Sequence, residues 1–368
     1  MNRVLHILSG MNVGGAETFL MNLYRAIDRE QVQFDFLVNT KENVYQDEIL
    51  SAGGRIFFLP PRNRGIRQYR LNLKCFFEKH REEFQVVQQH LSSLSSLEPL
   101  IMARQAEYPI RIAHCHNTAE GGSWLHNILH QINKRRIRTI ATDYLACSKG
   151  AQNWAFGGTG IEERVKVINN GIDINRFLYN ETRRRETRRK LGIEDKLVIG
   201  HVGRFSVVKN HDFLLQIFRE LQFSHPKTCL LLVGTGELEP SIRKLSMQLG
   251  LGEKVIFTGV RSDTPDLLNA MDFFVFPSLY EGLPVALVEA QAAGLRIFCS
   301  DRVTLSANLT GNIEYLPLEE SPALWAEKIR KSIGYSRQDT SEPLIRAGYS
   351  IAHTADFLMK HYYCLSHA

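Results

Sequence analysis

A β-rich run, a polar loop and an apolar helical pattern follow one another in residues 273–290, FFVFPSLYEGLPVALVEA. The strand is expected to end at Pro277 and the helix to begin near Pro284, because proline suits the first turn of a helix. Glu281 then lies in the loop, and Glu289 lies about one and a half turns into the helix. The segment predicts one strand–loop–helix unit of an α/β domain.

The carboxyl half of the chain repeats this unit. Short β-rich runs alternate there with helical patterns, which predicts a parallel sheet covered by helices on both faces. Sheets of this kind bind ligands outside the carboxyl ends of their strands. Besides residues 273–276, the predicted strands are Leu197–Val202, Cys229–Val233, Val255–Phe257, Ile297–Cys299 and Ile313–Leu316.

The amino half shows the same alternation more loosely, with helices predicted over about residues 16–27 and 68–81. A chain of 368 residues is long enough for two domains. The boundary is expected near residues 170–175, which gives an amino-terminal domain over 1–172 and a carboxyl-terminal domain over 173–350. The predicted strands of the amino half are Arg3–Leu8, Gln33–Val38, Arg55–Phe58, Phe84–Val87, Ile110–Ala113, Tyr144–Ala146 and Val165–Ile168.

Composition narrows the classes of function. The chain is 44% hydrophobic, and no apolar run approaches the length of a membrane span. It begins with a strand-like run rather than a secretory signal, so a cytoplasmic protein is expected. The six cysteines include no C-x-x-C pair, which argues against disulfides and against a zinc site. The basic run at 183–190 has no interleaved aromatic residues, so no nucleic acid is expected as a partner.

Two loops of the carboxyl half carry candidate phosphate ligands. Arg204 offers a planar fork and Lys209 a compact charge directly after a predicted strand, and two cations at that position suit a diphosphate. A solvated basic pair is the alternative. Gly234 follows the next strand, where a backbone without a side chain permits close approach of a ligand, although a plain turn is also compatible with it.

The loop and helix that follow Pro277 complete a candidate nucleotide-sugar site. The carboxylates of Glu281 and Glu289 suit sugar hydroxyls; an exposed helix glutamate is the alternative for Glu289, although its apolar neighbours leave little polar face. The start of a helix favours anions. The backbone expected to face a phosphate oxygen there belongs to Gly282, Leu283, Pro284 and Val285.

Paired glycines near the amino terminus, Gly14 and Gly15, stand between a strand and a helix. Such glycines let a backbone approach a ligand closely. The spacing matches neither the dinucleotide-binding fingerprint nor the P-loop, and a tight turn explains it equally well.

Taken together, these elements resemble the retaining GT-B glycosyltransferases of family 4. Glu281 and Glu289 match the E-x7-E element of that class, and Arg204 with Lys209 matches its R-x4-K element. The resemblance covers residues 3–330. Within the family, the sequence is most similar to bacterial exopolysaccharide and capsule enzymes. Further motifs in the family's order are Gly14-Gly15-Ala16-Glu17, His116 within residues 114–117, Ala146-Cys147-Ser148, Asn170-Gly171-Ile172-Asp173 and Pro277-Ser278.

The resemblance implies two Rossmann-like domains that face each other across a cleft and close over the donor, with residues 351–368 packing back on the amino-terminal domain. In the carboxyl-terminal domain, Arg204 and Lys209 would hold the donor diphosphate. Glu289 would bind the ribose, and Glu281 the hydroxyls of the donor sugar. The backbone around Thr258–Arg261 would contact the base.

In the amino-terminal domain, the resemblance implies that Gly15 lets its loop approach the diphosphate and the acceptor. His116 would contact the transferred sugar. His114 and His116 occupy alternate positions, so only His116 is expected to face the site.

The resemblance also implies transfer with retention from a nucleotide sugar, commonly a UDP-sugar, to a glycan or polyprenyl-linked acceptor. The chain contains no Asp-x-Asp, which fits a site that needs no metal, and no cofactor is expected besides the nucleotide sugar as co-substrate. The alternatives are another GT-B enzyme, namely a sugar-nucleotide epimerase or a pyridoxal-dependent phosphorylase, and a binding module without turnover.

An apolar stripe at helical spacing ends in a basic cluster between residues 124 and 138. This pattern suits a helix on an anionic membrane surface, and a peripheral contact with the inner face of the membrane is predicted. The alternative is a helix that packs on its own core, with its basic residues near the negative end of the helix dipole. The stripe comprises Trp124, Leu125, Ile128, Leu129 and Ile132, and the cluster comprises Lys134, Arg135, Arg136 and Arg138.

Overall fold

Seven parallel strands of the amino half form one sheet in the computed structural model, which describes residues 2–12, 14–117 and 123–366. The order across the sheet is β3-β2-β1-β4-β5-β6-β7. The strands are β1 (Asn2–Ile7), β2 (Val32–Val38), β3 (Ile56–Phe58), β4 (Val86–Leu91), β5 (Ile110–Cys115), β6 (Asp143–Ala146) and β7 (Lys166–Val167).

Six parallel strands of the carboxyl half form a second sheet, in the order β10-β9-β8-β11-β12-β13. This is the order of a doubly wound dinucleotide-type fold. The strands are β8 (Leu197–Val202), β9 (Thr228–Val233), β10 (Val255–Phe257), β11 (Phe273–Phe276), β12 (Arg296–Ser300) and β13 (Ile313–Leu316).

Helices connect the strands, as parallel pairing requires. In the amino half they are α1 (Gly15–Ala26), α2 (Gln46–Ser51), α3 (Ile66–Lys79), α4 (Glu98–Gln105), α5 (Trp124–Ile140) and α6 (Lys149–Phe156). In the carboxyl half they are α7 (Ile174–Phe177), α8 (Glu181–Leu191), α9 (His211–Ser224), α10 (Glu239–Gln248), α11 (Thr264–Ala270), α12 (Val285–Ala292), α13 (Pro322–Lys331), α14 (Ser341–Arg346) and α15 (Ile351–Ser366).

The chain divides into two compact units: the first comprises Met1–Gly171 with Ser350–Ala368, and the second comprises Ile172–Tyr349. The final helix α15 belongs to the first unit, where it packs against α1. Tyr362 on α15 is fully buried, and its hydroxyl donates to Oε1 of Gln88 in β4 at 2.7 Å. None of the described helices has the length and apolarity needed to cross a bilayer.

Each sheet has a core on both of its faces. In β11, for example, Phe274 and Phe276 belong to one cluster of buried side chains, whereas Phe273 and Val275 belong to the other. Successive side chains of a strand point to opposite faces, so a strand that is covered on both sides becomes apolar throughout. The two parallel sheets with helices between their strands confirm the predicted α/β architecture.

Most strands begin and end within two residues of the predicted limits, and β4 departs furthest from them. The prediction ended β4 at Val87, but the strand continues through Gln88, Gln89 and His90 to Leu91. These polar side chains resemble a loop in sequence, yet the strand carries them to the carboxyl edge of the sheet, where they bond to neighbouring residues. β7 is shorter than predicted, with only two residues paired in the sheet.

Candidate active site

Three loops of the second unit leave the carboxyl ends of the neighbouring strands β9, β8 and β11. Arg204 and Lys209 lie in the loop after β8, Gly234 in the loop after β9, and Glu281 in the loop after β11. This is the edge at which doubly wound sheets bind ligands. The fold therefore brings the predicted donor residues of this unit to one edge of one sheet.

Lys209 and Glu281 form an ion pair across two of these loops. Nζ of Lys209 lies 2.6 Å from Oε1 of Glu281, and the two side chains are 14% and 20% exposed. The ammonium also stands 4.4 Å from the ring centroid of Phe276, a contact that favours a cation. A lysine and a glutamate 72 positions apart in sequence thus meet at the site.

Backbone contacts hold the Lys209 loop in place. Leu279 donates its N–H to the carbonyl of Val208 at 2.8 Å, and the side chain of Asn210 donates to the carbonyl of Pro277 at 3.2 Å. Asn210 adopts a left-handed conformation with φ 53° and starts α9, a conformation that asparagine tolerates better than most residues. The loops after β8 and β11 are therefore fastened together beside the ion pair.

Gly234 has a structural reason to be glycine. Its φ is +131°, and a Cβ at this position would lie 2.1 Å from the carbonyl oxygen of Gly203. Its N–H donates to the carbonyl of Gly259 at 2.9 Å, which ties together the loops after β9 and β10. The close approach that Gly234 permits in this structure is between two backbones of the chain, and its predicted contact with the donor stays a prediction.

Arg204 has a different partner from Lys209. Its Nε lies 3.1 Å from Oε2 of Glu237, and the arginine side chain is 73% exposed. Exposed ion pairs of this kind contribute little to stability, so the guanidinium can exchange its carboxylate for another anion at small cost. Arg261 is likewise bound to a neighbour, with two hydrogen bonds of 2.7 and 2.6 Å to Asp263.

Glu289 is a half-buried carboxylate on α12. Its side chain has no hydrogen-bond partner among the residues that the structure describes, and burial raises its pKa to about 7, with the charge of Arg176 acting in the opposite direction. A solvated helix glutamate, the alternative considered from the sequence, would show no such shift. The carboxyl of Glu289 therefore lies in a partly dehydrated position on the helix that follows the Glu281 loop.

The helix α12 begins with no side-chain cap at Pro284. Its first N–H groups therefore remain without the capping oxygen that usually satisfies them. Ser278, which the sequence did not mark as a site residue, lies fully buried in the preceding loop, and its Oγ has no partner in the described parts of the chain. The main chain of Glu281 is positioned by a bridge to Val303.

In the first unit, Gly15 is the first residue of α1 and is exposed. A Cβ built on it would meet no described atom within 4 Å. The chain's own packing therefore does not demand glycine there, whereas a Cβ on Gly14 would lie 2.3 Å from Oε2 of Glu17. The neighbouring Val13 lies outside the described residues.

His114 and His116 lie side by side, with ring centroids 4.1 Å apart. The premise that alternate positions would separate the two rings was wrong, because residues two apart along a strand share a face. The contact of His116 with the donor sugar stays a prediction. Nε2 of His116 lies 2.8 Å from Nδ1 of His90, and Nε2 of His90 lies 3.0 Å from Nδ1 of His6. The first unit thus gathers imidazoles at its strand ends, where the second unit has the ion pair of Lys209 and Glu281.

Sequence reasoning missed His6 and His90. The signal was present, since His6, His90 and His114 lie in β1, β4 and β5, which are neighbours in the sheet, and His90 pairs directly with His114. Using that signal requires knowing the strand order. We call these residues, with His116, the histidine cluster.

The histidine cluster is neutral at physiological pH. Burial lowers the pKa of His116 to about 4 and that of His6 to about 3. Burial, with repulsion from the neighbouring imidazoles, holds the pKa values of His90 and His114 well below their usual value. Each ring therefore offers one N–H donor and one bare nitrogen.

The helix α5 exposes its apolar stripe. Trp124 is 74% exposed, and Leu125, Ile128 and Ile132 are exposed as well. The residues that α5 buries are His130, Ile137 and Ile140, on the opposite side of the helix. These four stripe residues therefore do not form the core contact that the alternative interpretation required.

The basic cluster at the end of α5 divides in two. Arg135, Arg136 and Arg138 are exposed. Lys134 is half-buried instead, and its Nζ donates to the carbonyl of Trp154 at 2.9 Å. Three arginines are thus presented to solvent beyond the apolar stripe.

Two family models together match most of the chain. The model of Glycosyltransferase Family 4 matches residues 13–176, and the model of Glycosyl transferases group 1 matches residues 183–348. The putative glycosyltransferase EpsF of Bacillus subtilis (strain 168) is 38% identical over 98% of this chain and 96% of its own length.

A second relative has a more specific name. The UDP-Gal:alpha-D-GlcNAc-diphosphoundecaprenol alpha-1,3-galactosyltransferase of Escherichia coli is 24% identical over 84% of this chain and 80% of its own. Among solved structures, Anabaena Alr3699/HepE in complex with UDP superposes with a TM-score of 0.75 at 20% identity, over 99% of this chain and 100% of that one. The full-length match to EpsF, the two family models and the shared architecture lead to one conclusion: the chain belongs to glycosyltransferase family 4 and has the GT-B fold.

Proposed function

We propose that this glycosyltransferase moves a sugar, with retention of configuration, from a UDP-sugar to a glycan or polyprenyl-linked glycan in exopolysaccharide or capsule biosynthesis. The observation that carries the proposal is the Lys209–Glu281 pair at the carboxyl ends of the strands. It is joined by the half-buried carboxyl of Glu289 on the helix that follows, which has no hydrogen-bond partner within the described part of the chain. The UDP held by HepE supports the base, and the name of the Escherichia coli relative supports the acceptor class.

In this proposal Lys209 and Arg204 hold the donor diphosphate. The ammonium of Lys209 is already partly removed from water beside Glu281. During the reaction it turns towards the negative charge that develops on the leaving phosphate. Glu281 is then released to accept hydrogen bonds from hydroxyls of the donor sugar. Arg204 exchanges its exposed partner Glu237 for phosphate oxygens.

Glu289 binds the ribose of the nucleotide. A carboxylate accepts hydrogen bonds from two hydroxyls at once, and these bonds are stronger than those to a neutral group. The first N–H groups of α12 and the backbone of Gly282, Leu283 and Val285 contribute donors to the phosphate. Gly15 leaves room for ligand, and His116 contacts the transferred sugar.

The proposed reaction needs no metal and forms no glycosyl-enzyme. The acceptor hydroxyl attacks on the face from which the nucleoside diphosphate departs, and a departing phosphate oxygen takes the acceptor proton. The bond from the anomeric carbon to phosphate breaks as the bond to the acceptor oxygen forms. The cations Arg204 and Lys209 supply the electrostatic stabilisation that a metal provides elsewhere.

The donor is tested by ligand-induced stabilisation. UDP, GDP and ADP, with their sugars, are added separately to the protein, and the shift in melting temperature is measured. A ligand present at 100 times its Kd stabilises the folded protein by about 2.7 kcal/mol. UDP compounds are expected to raise the melting temperature and the others to leave it unchanged. A shift with GDP or ADP compounds alone would overturn the choice of base.

We also propose that α5 contacts an anionic membrane surface, where a polyprenyl-linked acceptor is embedded. The exposed face of Trp124, Leu125, Ile128 and Ile132 offers apolar side chains to the interface. The three arginines near the end of the helix offer charge that complements anionic lipid headgroups. Because one exposed helix presents both apolar and basic side chains, a lipid surface is a better partner for it than a purely ionic one.

Vesicle sedimentation tests the membrane contact. Arg135, Arg136 and Arg138 are changed together to serine, and binding to vesicles rich in anionic lipid is measured at low and high salt. Binding is expected to weaken in the variant and with salt. The matched control removes the same charge from exposed residues of α8, as Arg185→Ser, Arg189→Ser and Lys190→Ser. Equal recovery of wild type and the α5 variant at low salt would contradict the contact.

A further inference from the structure

The proposed function uses one member of the histidine cluster, His116, and leaves the others without a role. We propose that His90, His114 and His116 form a binding site for a divalent transition-metal ion of the zinc type. Imidazole is a preferred ligand of zinc, copper, nickel and cobalt, and three imidazoles with one open position form a complete set for tetrahedral zinc.

The spacing of the three rings suits such an ion. One nitrogen from each lies within 4.8 Å of the others. Zinc–nitrogen bonds of about 2.0–2.1 Å place tetrahedral ligands roughly 3.3 Å apart. The present separation of 2.8 Å between Nδ1 of His90 and Nε2 of His116 therefore has to open slightly, whereas any pair near the 4.8 Å limit has to close by more than about 1 Å.

The outer contacts leave one nitrogen of each inner ring for the ion. His6 occupies Nε2 of His90, which leaves Nδ1. Gln88 occupies Nδ1 of His114, which leaves Nε2, a buried atom with no partner among the described residues. Nδ1 of His90 faces Nε2 of His116, and the ring of His114 neighbours that of His116.

The same outer contacts act as the supporting shell that metal-bound histidines require. A ligating imidazole donates its second N–H to a fixed acceptor, which sets its tautomer. Nδ1 of His6 is such an acceptor for His90. For His114 the acceptor is the oxygen of Gln88, once its amide turns over and the Tyr362 hydroxyl accepts from the amide nitrogen instead.

The proposed metal site is separate from the residues proposed to bind the donor diphosphate, and sugar transfer does not require its ion. If the proposed function holds, capture of His116 by the ion removes this side chain from the sugar. Zinc is then an inhibitor, and chelation restores activity. This consequence rests on the proposed function, whereas binding of the ion does not.

Binding is measured by calorimetric titration of tag-free protein with Zn²⁺, and by the visible absorption of Co²⁺. The titrations use a Cys75→Ser, Cys364→Ser background, because these exposed thiols are competing ligands. One ion per chain is expected. His90→Gln and His114→Gln are each expected to weaken binding by more than about 10-fold, and His6→Gln by about 10-fold through its outer contact.

The matched control is His353→Gln, an exposed histidine on α15, which should bind as the background protein does. Circular dichroism of each variant verifies that it is folded. Absence of a one-to-one zinc complex, or equal affinity in His114→Gln and His353→Gln, would overturn the site. A tight zinc complex without inhibition would leave the site standing and count against the proposed role of His116.

Discussion

The two sheets differ in the charge of the side chains at the carboxyl ends of their strands. In the second unit, charged side chains gather there, with Lys209 paired to Glu281 and a half-buried Glu289. In the first unit, imidazoles that burial keeps neutral hydrogen-bond to one another. Two similar folds thus have different carboxyl edges: one sheet places charged side chains there, and the other places neutral polar side chains. The difference shows that the doubly wound fold supplies the location of a site, while side chains supply its chemistry.

The largest expected effect is at the charged edge. Lys209→Ala should lower kcat by about 100-fold or more, because the lysine acts where charge develops on the leaving group. Initial rates with a UDP-sugar measure it. The control Lys227→Ala removes an exposed lysine that pairs with Asp195, and should keep normal turnover. Near-normal activity of Lys209→Ala would remove the charged edge from the mechanism.

Glycines of the two edges should also respond differently. Gly234→Ala should destabilise the protein by at least about 1–3 kcal/mol, because alanine cannot adopt φ +131° without strain and its Cβ would overlap the Gly203 carbonyl. Gly15→Ala should change stability by less than about 0.5 kcal/mol, since nothing described lies near that position. Thermal unfolding of both variants measures this. Equal melting temperatures would show that the loops after β8 and β9 are not fixed as described.

Glu289 links stability to function. Its pKa is raised above that of an unfolded glutamate, so the folded state holds the proton more tightly and loses stability as pH rises from about 4.5 to 7. Glu289→Gln should therefore melt higher than wild type at pH 8 but bind UDP about 10-fold more weakly, since a charged hydrogen bond is lost. Melting curves and UDP titrations at pH 5.5 and 8 measure both. A variant with unchanged UDP affinity would separate Glu289 from the ribose.

Much of the fold was accessible from the sequence, because apolar runs and helical periods alternate clearly. The spacing of Glu281 and Glu289, and of Arg204 and Lys209, also identified the charged groups in the second unit. The ion-pair partners of these residues could not be predicted from the sequence. Whether Lys209 meets Glu281 or Glu237 depends on how the loops after β8, β9 and β11 approach one another.

The histidine cluster escaped prediction for a related reason. Its members lie in β1, β4 and β5 or directly after β5, and these strands are known to be neighbours only once the strand order is known. The polar run Gln88–His90 also hid the end of β4, since buried polar residues in a strand have the appearance of a loop. Sequence patterns report local structure well, but contacts between distant strand ends follow from topology.

In the proposed reaction, retaining transfer depends on the charged edge of the second unit and not on a metal. Proton NMR of the transfer reaction, run with an α-linked UDP-sugar and excess EDTA, tests it most directly, because the anomeric coupling of the first product gives its configuration before mutarotation or further reaction. We expect metal-free protein to form an α-linked product at the same rate with and without EDTA. A β-linked product, or activity abolished by EDTA and restored only by manganese, would contradict the account.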